Sequence, residues 1–198
     1  MNLNIFFKQF ISLILFLIIF SIICFYSENS ITKNLDNTSI SNEIFFPSNN
    51  PTNFFWPLPG YNRITSYFGA RVSPTTGAST NHSGIDIAAT ENSSIYSVLS
   101  GTVTFIGFKG AGGFTVIISS PPFQISYSHI SPNFLVYEGK IVSQKEKIAE
   151  VGPKYVDNVL NNPYKDSTGK STNGATTGPH LHITIKKDGI AVNPLDYF

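Results

Sequence analysis

The chain has 198 residues, and its 13 Lys and Arg residues against 12 Asp and Glu residues give a formal net charge of +1. A nearly neutral chain lacks the strongly basic face of an electrostatic nucleic-acid binder, so we expect no nucleic-acid partner. A single cysteine excludes an internal disulfide framework and a cysteine-based zinc site. Any imidazole chemistry must use the four histidines, which are His82, His129, His180 and His182.

The first 26 residues predict a membrane anchor. Residues 10–26 are apolar apart from a few hydroxyls, and a helix of this length extends about 25 Å, close to the ~30 Å hydrocarbon core of a bilayer. Lys8 precedes this run and Glu28 follows it, which favours a single pass in the cell membrane with the C-terminal domain extracytoplasmic. The alternative is a cleavable signal that releases a secreted domain, although no Ala-x-Ala-like site follows the run.

Residues 27–53 predict a flexible tether. Asn, Ser and Thr dominate this segment, which is too poor in apolar residues to offset the entropy of ordering the chain. The apolar pair Phe45 and Phe46 leaves an alternative, in which the two rings pack on the edge of the following domain. The composition then changes, so the sequence divides into an anchor (1–26), this linker and a domain (54–198).

The domain after the tether is predicted to be all-β. Short runs rich in β-branched and aromatic residues alternate with glycine and proline, and no long stretch has the 3.6-residue apolar period of an amphipathic helix. This pattern is typical of a β-sandwich or barrel-like domain, here of about 145 residues. The predicted strands are 63–68, 94–99, 102–106, 114–119, 124–129 and 181–186.

The first candidate for chemistry is the pair His82 and Asp86, in the segment HSGID. Gly84 and the β-branched neighbours of Asp86 favour a loop that enters a short strand. Ile85 and Ile87 would then face the core, with Asp86 on the opposite face, where a carboxylate near the core requires a charged partner. A metal ion is one such partner, and the plainer alternative is an Asp that caps a turn.

The second candidate is the pair His180 and His182, which precede the run Ile-Thr-Ile. Residues two apart on a strand point to the same face, so both imidazoles and Thr184 would share one polar face. Leu181 and Ile183 would face the core. The alternative is a pair of surface histidines without a ligand.

His129 ends the predicted strand 124–129 and completes the set of histidines. On that strand it would share a face with Ile125 and Tyr127. A single histidine at a strand end is more often a packed or surface residue than a catalytic one, and this interpretation stays open.

The three segments together predict a zinc site. His82, Asp86 and one of the pair His180 and His182 form a set of two imidazoles and a carboxylate, which is typical of catalytic zinc with an open fourth position. The two remaining histidines would lie beside the metal, where they could move a proton or stabilise an oxyanion.

Seven segments of the domain carry a family resemblance: FFWPLPG, ITSYFGAR, HSGIDIAA, IYSVLSGTV, YSHI, TGPHLHITI and VNPLDYF. With HxxxD, a middle histidine and HxH in this order, almost the whole domain resembles the lysostaphin-type zinc endopeptidases, peptidase family M23. The resemblance implies an antiparallel β domain with its site in a groove. It also implies zinc held by His82, Asp86 and His182, and His129 and His180 as the catalytic imidazoles.

Four residues are candidates for contact with a substrate in the implied groove. Tyr127 and Thr184 lie on predicted strands, and Tyr155 and Tyr164 lie in a long irregular insert, residues 153–178. The insert replaces the short turn that members of the family have before HxH, and long loops in compact domains are often functional. It is therefore a candidate for substrate selection, with a surface loop of no such role as the alternative.

The sequence favours a zinc-dependent endopeptidase that hydrolyses peptide bonds in bacterial peptidoglycan. The alternative is a catalytically silent scaffold of the cell envelope, since the resemblance extends to members that have lost the site and bind partner proteins. No ligand of the implied set is missing here, which favours the enzyme. The predicted partners are peptidoglycan and the membrane, and an envelope protein is a third candidate.

Overall fold

The computed structural model describes residues 54–198, and this part of the chain is built almost entirely of β-strands. The strands form where β-branched and aromatic residues are concentrated, and all their pairings are antiparallel. The strands are β1 Ile64–Ser66, β2 Gly69–Ala70, β3 Asn81–His82, β4 Ile85–Ala88, β5 Ser94–Tyr96, β6 Gly101–Phe108, β7 Phe114–Ser120, β8 Phe123–Ser128, β9 Ile141–Val142, β10 Lys147–Glu150, β11 His180–Lys187 and β12 Ile190–Val192. Two 3₁₀ helices span Gly110–Gly112 and Pro194–Asp196.

One large sheet positions the candidate site. Its strands follow the order β1-β4-β11-β8-β7-β6-β9, and β12 also pairs with β11. β11 therefore lies between β4 and β8, and His182 faces Asp86 on one side and Ser128 on the other. Two smaller sheets pair β5 with β10 and β2 with β3.

Alternate residues of β4 and β11 are completely buried, and the residues between them lie on the opposite face of the sheet. Buried side chains of β5 and β10 join the same apolar cluster, so the large sheet and the β5–β10 pair share one core. The fully buried residues of these four strands are Ile85, Ile87, Ile95, Ile148, Leu181, Ile183 and Ile185.

The all-β prediction is confirmed, and each of the six strands predicted from the sequence overlaps an observed strand. Five strands that the sequence did not indicate are β2, β3, β9, β10 and β12. They contain two to four residues each, which is too short for an alternating apolar pattern to show.

The predicted anchor (1–26) and tether (27–53) lie outside the described residues. The alternative packing of Phe45 and Phe46 lies outside them as well. Within residues 54–198, no helix has the length and apolar character that crossing a membrane requires.

Candidate metal centre

The neighbouring strands β4 and β11 bring Asp86 and His182 side by side, since the two residues are direct partners in the antiparallel register. His82 reaches the same point from the end of β3. The connection between β3 and β4 passes so close to β11 that a Cβ on Gly84 would overlap the carbonyl group of Ile183. The glycine of HSGID therefore allows His82 to lie against His182.

Replacing Gly84 with alanine tests this close approach. The Ile183 carbonyl group belongs to the backbone and cannot rotate away from an added Cβ. We expect Gly84→Ala to lower the free energy of unfolding by about 1–3 kcal/mol, measured by urea denaturation of the metal-free protein. Gly178→Ala is the control, because a Cβ there would meet nothing within 4 Å. Equal stability of the two variants would contradict the account.

Three atoms with metal-binding chemistry converge where these strands meet. Nε2 of His82 and Nδ1 of His182 are 2.9 Å apart. Oδ1 of Asp86 lies 3.2 Å from Nε2 of His82 and 2.8 Å from Nδ1 of His182. Within residues 54–198, these three side chains are the one group of His, Cys, Asp or Glu close enough to share a metal ion. The structure thus brings together the three residues that the resemblance implies as ligands.

The second nitrogen of each of these imidazoles is held by a neighbouring oxygen. Nδ1 of His82 donates to the main-chain carbonyl of Tyr67 at 2.8 Å. Nε2 of His182 lies 2.9 Å from the hydroxyl of Thr184. Such outer partners fix the tautomer and orientation of metal-binding histidines, and they leave the other nitrogen free for a ligand.

The Asp86 carboxylate is ionised and clamped by Arg71. Nη1 of Arg71 donates to Oδ2 of Asp86 at 3.0 Å and to the hydroxyl of Ser66 at 2.6 Å. Burial raises the pKa of Asp86, but contacts with His182 and His82 outweigh it, so the pKa lies well below its usual range. Sequence reasoning assigned no role to Arg71, although this residue ends the segment ITSYFGAR that carries part of the family resemblance.

The chemistry of this donor set fits a zinc ion. Two imidazole nitrogens and one carboxylate oxygen are typical zinc ligands, and ligand atoms of a tetrahedral zinc site are roughly 3.3 Å apart. The three separations here, 2.8 to 3.2 Å, are shorter than that spacing by about 0.5 Å at most. Three protein ligands leave a fourth position open, as in catalytic rather than structural zinc sites.

Two further imidazoles flank the cluster. The ring centroids of His129 and His180 are 4.6 Å apart, and Nε2 of His180 lies 3.6 Å from Oδ1 of Asp86. Nδ1 carries the proton in both rings, because it lies 2.7 Å from the carbonyl oxygen of Asn173 in His129 and 2.8 Å from that of Gly178 in His180. Nε2 of each ring is therefore the atom left to accept a proton.

The surroundings of His129 keep its imidazole neutral. Burial lowers the pKa of His129 to about 3, and the neighbouring His180 and His182 add to this effect. The hydrogen bond to Asn173 acts in the opposite direction without cancelling it. At neutral pH the ring is uncharged, with a lone pair on Nε2.

The backbone at His129 is left-handed, and this overturns one prediction. β8 ends at Ser128, and the φ angle of +58° at His129 breaks the strand alternation. His129 therefore lines the groove, whereas Tyr127 is completely buried and its hydroxyl accepts a hydrogen bond from the Val98 N–H at 2.9 Å. The predictions that the two residues share a face and that Tyr127 contacts substrate are wrong.

A groove of about 800 Å³ contains the cluster. Thr184 lies in its floor with Ser83 and Ser126, so the floor is rich in hydroxyl groups. Tyr67 and Val72 line the same groove and are 64% and 91% exposed, which gives it an apolar rim. The site is thus open to a ligand as large as a peptide.

The tyrosines of the long insert, Tyr155 and Tyr164, are not among the residues that line the groove, so their contact with substrate stays a prediction. The hydroxyl of Tyr155 donates to Oδ2 of Asp166 at 2.9 Å, and the ammonium of Lys170 lies 4.1 Å from the Tyr155 ring centroid. Tyr164 packs against Gly77, where a Cβ would lie 2.8 Å from Cε1 of the tyrosine. Both rings are therefore occupied by contacts within the protein.

The C-terminal end of the insert holds His129 through Asn173, a residue that sequence reasoning missed. Asn173 is completely buried, and its side chain accepts from the Phe114 N–H at 2.8 Å and donates to the Ile130 carbonyl at 3.0 Å. These bonds fix the backbone whose carbonyl accepts from Nδ1 of His129. The only sequence signal is an Asn-Gly pair shortly before HxH.

Asn173→Ala is expected to destabilise the domain and to disturb His129. The substitution leaves the part-buried Phe114 N–H and the buried Ile130 carbonyl without these partners, and the unpaired buried carbonyl alone costs about 1–3 kcal/mol. If the variant cleaves peptide, kcat should fall more than KM rises, because the imidazole loses its orientation while the groove wall remains. Asn133→Ala, at an exposed position, is the control, and a variant as stable and active as that control would refute this role.

Comparison with known proteins finds one matching peptidase family. Residues 80–163, which include His82, Asp86 and His129, match the model of Peptidase family M23. The chain is 35% identical over 136 residues to the DD-carboxypeptidase/endopeptidase Mpg of Neisseria meningitidis serogroup B, covering 68% of this chain and 27% of that protein. It is 28% identical over 144 residues to the murein hydrolase activator NlpD of Escherichia coli, covering 72% of this chain and 30% of that protein.

A solved structure shares the fold. A zinc-containing peptidase from Vibrio cholerae aligns with a TM-score of 0.56 and 27% sequence identity, over 71% of this chain and 39% of that one. The chain spans less than a third of the length of the two curated relatives named above. The described domain, with its antiparallel β fold and its His-Asp-His cluster, therefore resembles the members of peptidase family M23, whose model matches residues 80–163.

Proposed function

We propose that the chain is a zinc-dependent endopeptidase that hydrolyses peptide bonds in bacterial peptidoglycan. The observation that carries the proposal is the convergence of His82, Asp86 and His182 beside two further imidazoles in an open groove. A structural zinc site would use four protein ligands, whereas this cluster has three. The relatives named as a DD-carboxypeptidase/endopeptidase and a zinc-containing peptidase support the same reaction class.

The residues around the cluster supply the proton transfers that amide hydrolysis requires. A bound zinc ion would act as a Lewis acid toward water and the scissile carbonyl group. The neutral His129 offers Nε2 to the proton of the attacking water, and its Nδ1 stays bonded to Asn173. Once protonated, Nε2 donates to the oxyanion or to the leaving amine, and His180 offers a second imidazole on the same side.

Digestion of purified peptidoglycans tests the proposal. Full-length protein is incubated with cell walls of different cross-bridge chemistry, with and without a chelator, and the fragments are identified by mass spectrometry. We expect new peptide termini from at least one wall type, lost with chelator and restored by zinc. Intact walls of every type in the presence of zinc-loaded protein would overturn the proposal.

A second candidate is a scaffold that binds an envelope protein without catalysis. One relative, 28% identical over 144 residues, favours this role because it is named as a murein hydrolase activator and not as a hydrolase. Removal of a ligand distinguishes the two roles. A scaffold that still folds keeps its biological effect after Asp86→Asn, whereas an enzyme loses it.

We further propose that residues 1–26 anchor the protein in the cell membrane, with residues 27–53 as a tether. This arrangement would hold the domain outside the cytoplasm, next to its peptidoglycan substrate. Cell fractionation of the full-length protein, followed by protease treatment of intact cells or spheroplasts, tests the location. Recovery of the whole chain in the cytoplasm would contradict it.

A further inference from the structure

The charged side chains that line the groove are mostly basic. Arg71, Lys109 and Lys186 line it, and Asp86 is the one acidic residue among the lining residues of the described domain. Arg71 is paired with Asp86, whereas no ion pair among residues 54–198 involves either lysine. The groove therefore has an uncompensated positive charge, which favours an anionic ligand.

The two lysines lie on opposite sides of the cluster. Lys186 is on the groove face of β11, and its Cα lies beyond that of His182 by about 13 Å at the strand rise of ~3.3 Å per residue. Lys109 directly precedes the 3₁₀ helix whose Gly112 carbonyl accepts from the main-chain N–H of His129 at 2.8 Å. The part of the groove that runs along β11 from His182 to Lys186 is therefore separate from the part beside Lys109, and we call it the Lys186 arm.

The floor of this arm is polar and uncharged. Thr184 stands between His182 and Lys186 on β11, and Ser126 is its direct partner on β8. The hydroxyl of Ser83 lies 3.5 Å from that of Thr184. Hydroxyl groups both donate and accept hydrogen bonds, so this floor suits the amide groups of an extended peptide, with a cation at its far end.

We infer that the groove selects peptides with a free carboxylate on the Lys186 side of the cluster, roughly four extended residues along β11, and that Lys186 binds this carboxylate. The inference rests on the proposed function and names its substrate class, an anionic peptide. An ammonium group is a compact charge with three hydrogen-bond donors, which a carboxylate satisfies better than a neutral carboxamide.

A matched pair of peptides tests the inference. A cross-linked peptide released from peptidoglycan is prepared with its carboxylates free and, separately, converted to carboxamides. Binding of each to zinc-loaded full-length protein is measured by fluorescence anisotropy at low and high salt. We expect the free form to bind about fivefold tighter at low salt and the difference to shrink at high salt.

Neighbouring lysines provide the variants. Lys186→Gln should remove the preference for the free carboxylate, and Lys186→Arg should restore most of it. Lys187→Gln is the control, because Lys187 is the next residue of β11, is exposed and lies outside the groove. Equal affinity for the two peptides, or an equal loss of preference in the Lys186→Gln and Lys187→Gln variants, would overturn the inference.

The outcomes separate this inference from the proposed function. Tighter binding of the free carboxylate form, without cleavage of either peptide, would refute the peptidase activity toward these peptides and support the carboxylate site. Cleavage of both peptides with equal affinity would support the peptidase and refute the carboxylate site.

Discussion

Asp86→Asn is expected to abolish zinc retention and to lower peptide cleavage by at least about 1,000-fold. Asp86 contributes the one anionic atom of the cluster, and its Oδ1 lies within 3.2 Å of both nitrogens of the proposed ligand set. A metal ion contributes several kcal/mol of transition-state stabilisation, and each 1.36 kcal/mol corresponds to a tenfold change in rate. Metal content by mass spectrometry and peptide release from cell walls measure the two effects.

The control for this substitution is Asp157→Asn, at an exposed carboxylate outside the groove. This control should keep one zinc ion per chain and full activity. The Asp86→Asn protein should remain folded, because Asn keeps the size of the side chain and Ile85 and Ile87 stay buried. An Asp86→Asn variant that holds zinc as tightly as the wild type would remove Asp86 from the metal site.

His129→Asn is expected to lower kcat by about 100- to 10,000-fold while zinc binding is kept, which is the usual effect of losing a general acid or base. Asn is the appropriate replacement because position 129 has a φ of +58°, and Asn tolerates the left-handed region better than Ala or Gln. The side chain of Asn has no basic nitrogen, so it cannot take up the proton that Nε2 would accept.

Two measurements decide the outcome for His129. Zinc content and the urea midpoint should stay close to the wild-type values, since His129 is outside the ligand cluster. Steady-state kinetics on a cross-linked peptide should show the loss in kcat. Activity within tenfold of the wild type would exclude His129 as the base, and loss of zinc would instead place it among the ligands.

Local periodicity predicts the two strands that place Asp86 and His182 together, whereas His82 lies on β3, which no local pattern indicates. Ile85 and Ile87, like Leu181 and Ile183, alternate with polar residues, and burial of the apolar face puts the polar residues on the other face. Pairing of β4 with β11 then makes Asp86 and His182 neighbours. The pairing itself joins residues about 100 positions apart, so the order of histidines and the family resemblance were needed to predict it.

The features that sequence reasoning missed depend on single backbone angles and distant contacts. The expected alternation of side chains between the two faces of the strand does not hold at His129. Its left-handed backbone turns the imidazole away from the face that Tyr127 occupies. Asn173 is tied to Phe114 at the start of β7 and to Ile130 just after β8, both far from it along the chain, and no local pattern indicates this. The tyrosines of the insert, aromatic and in a long loop, resembled groove residues, yet Tyr155 and Tyr164 contact their own protein.

The most direct test of a catalytic metal centre is a zinc titration of chelator-treated protein, with release of peptides from cell walls followed in the same samples. We expect no release without metal, a linear rise with added zinc and saturation at one equivalent per chain. Release that is independent of zinc, or zinc bound at one equivalent without any release from a wall type that zinc-loaded relatives of this family cleave, would contradict this expectation.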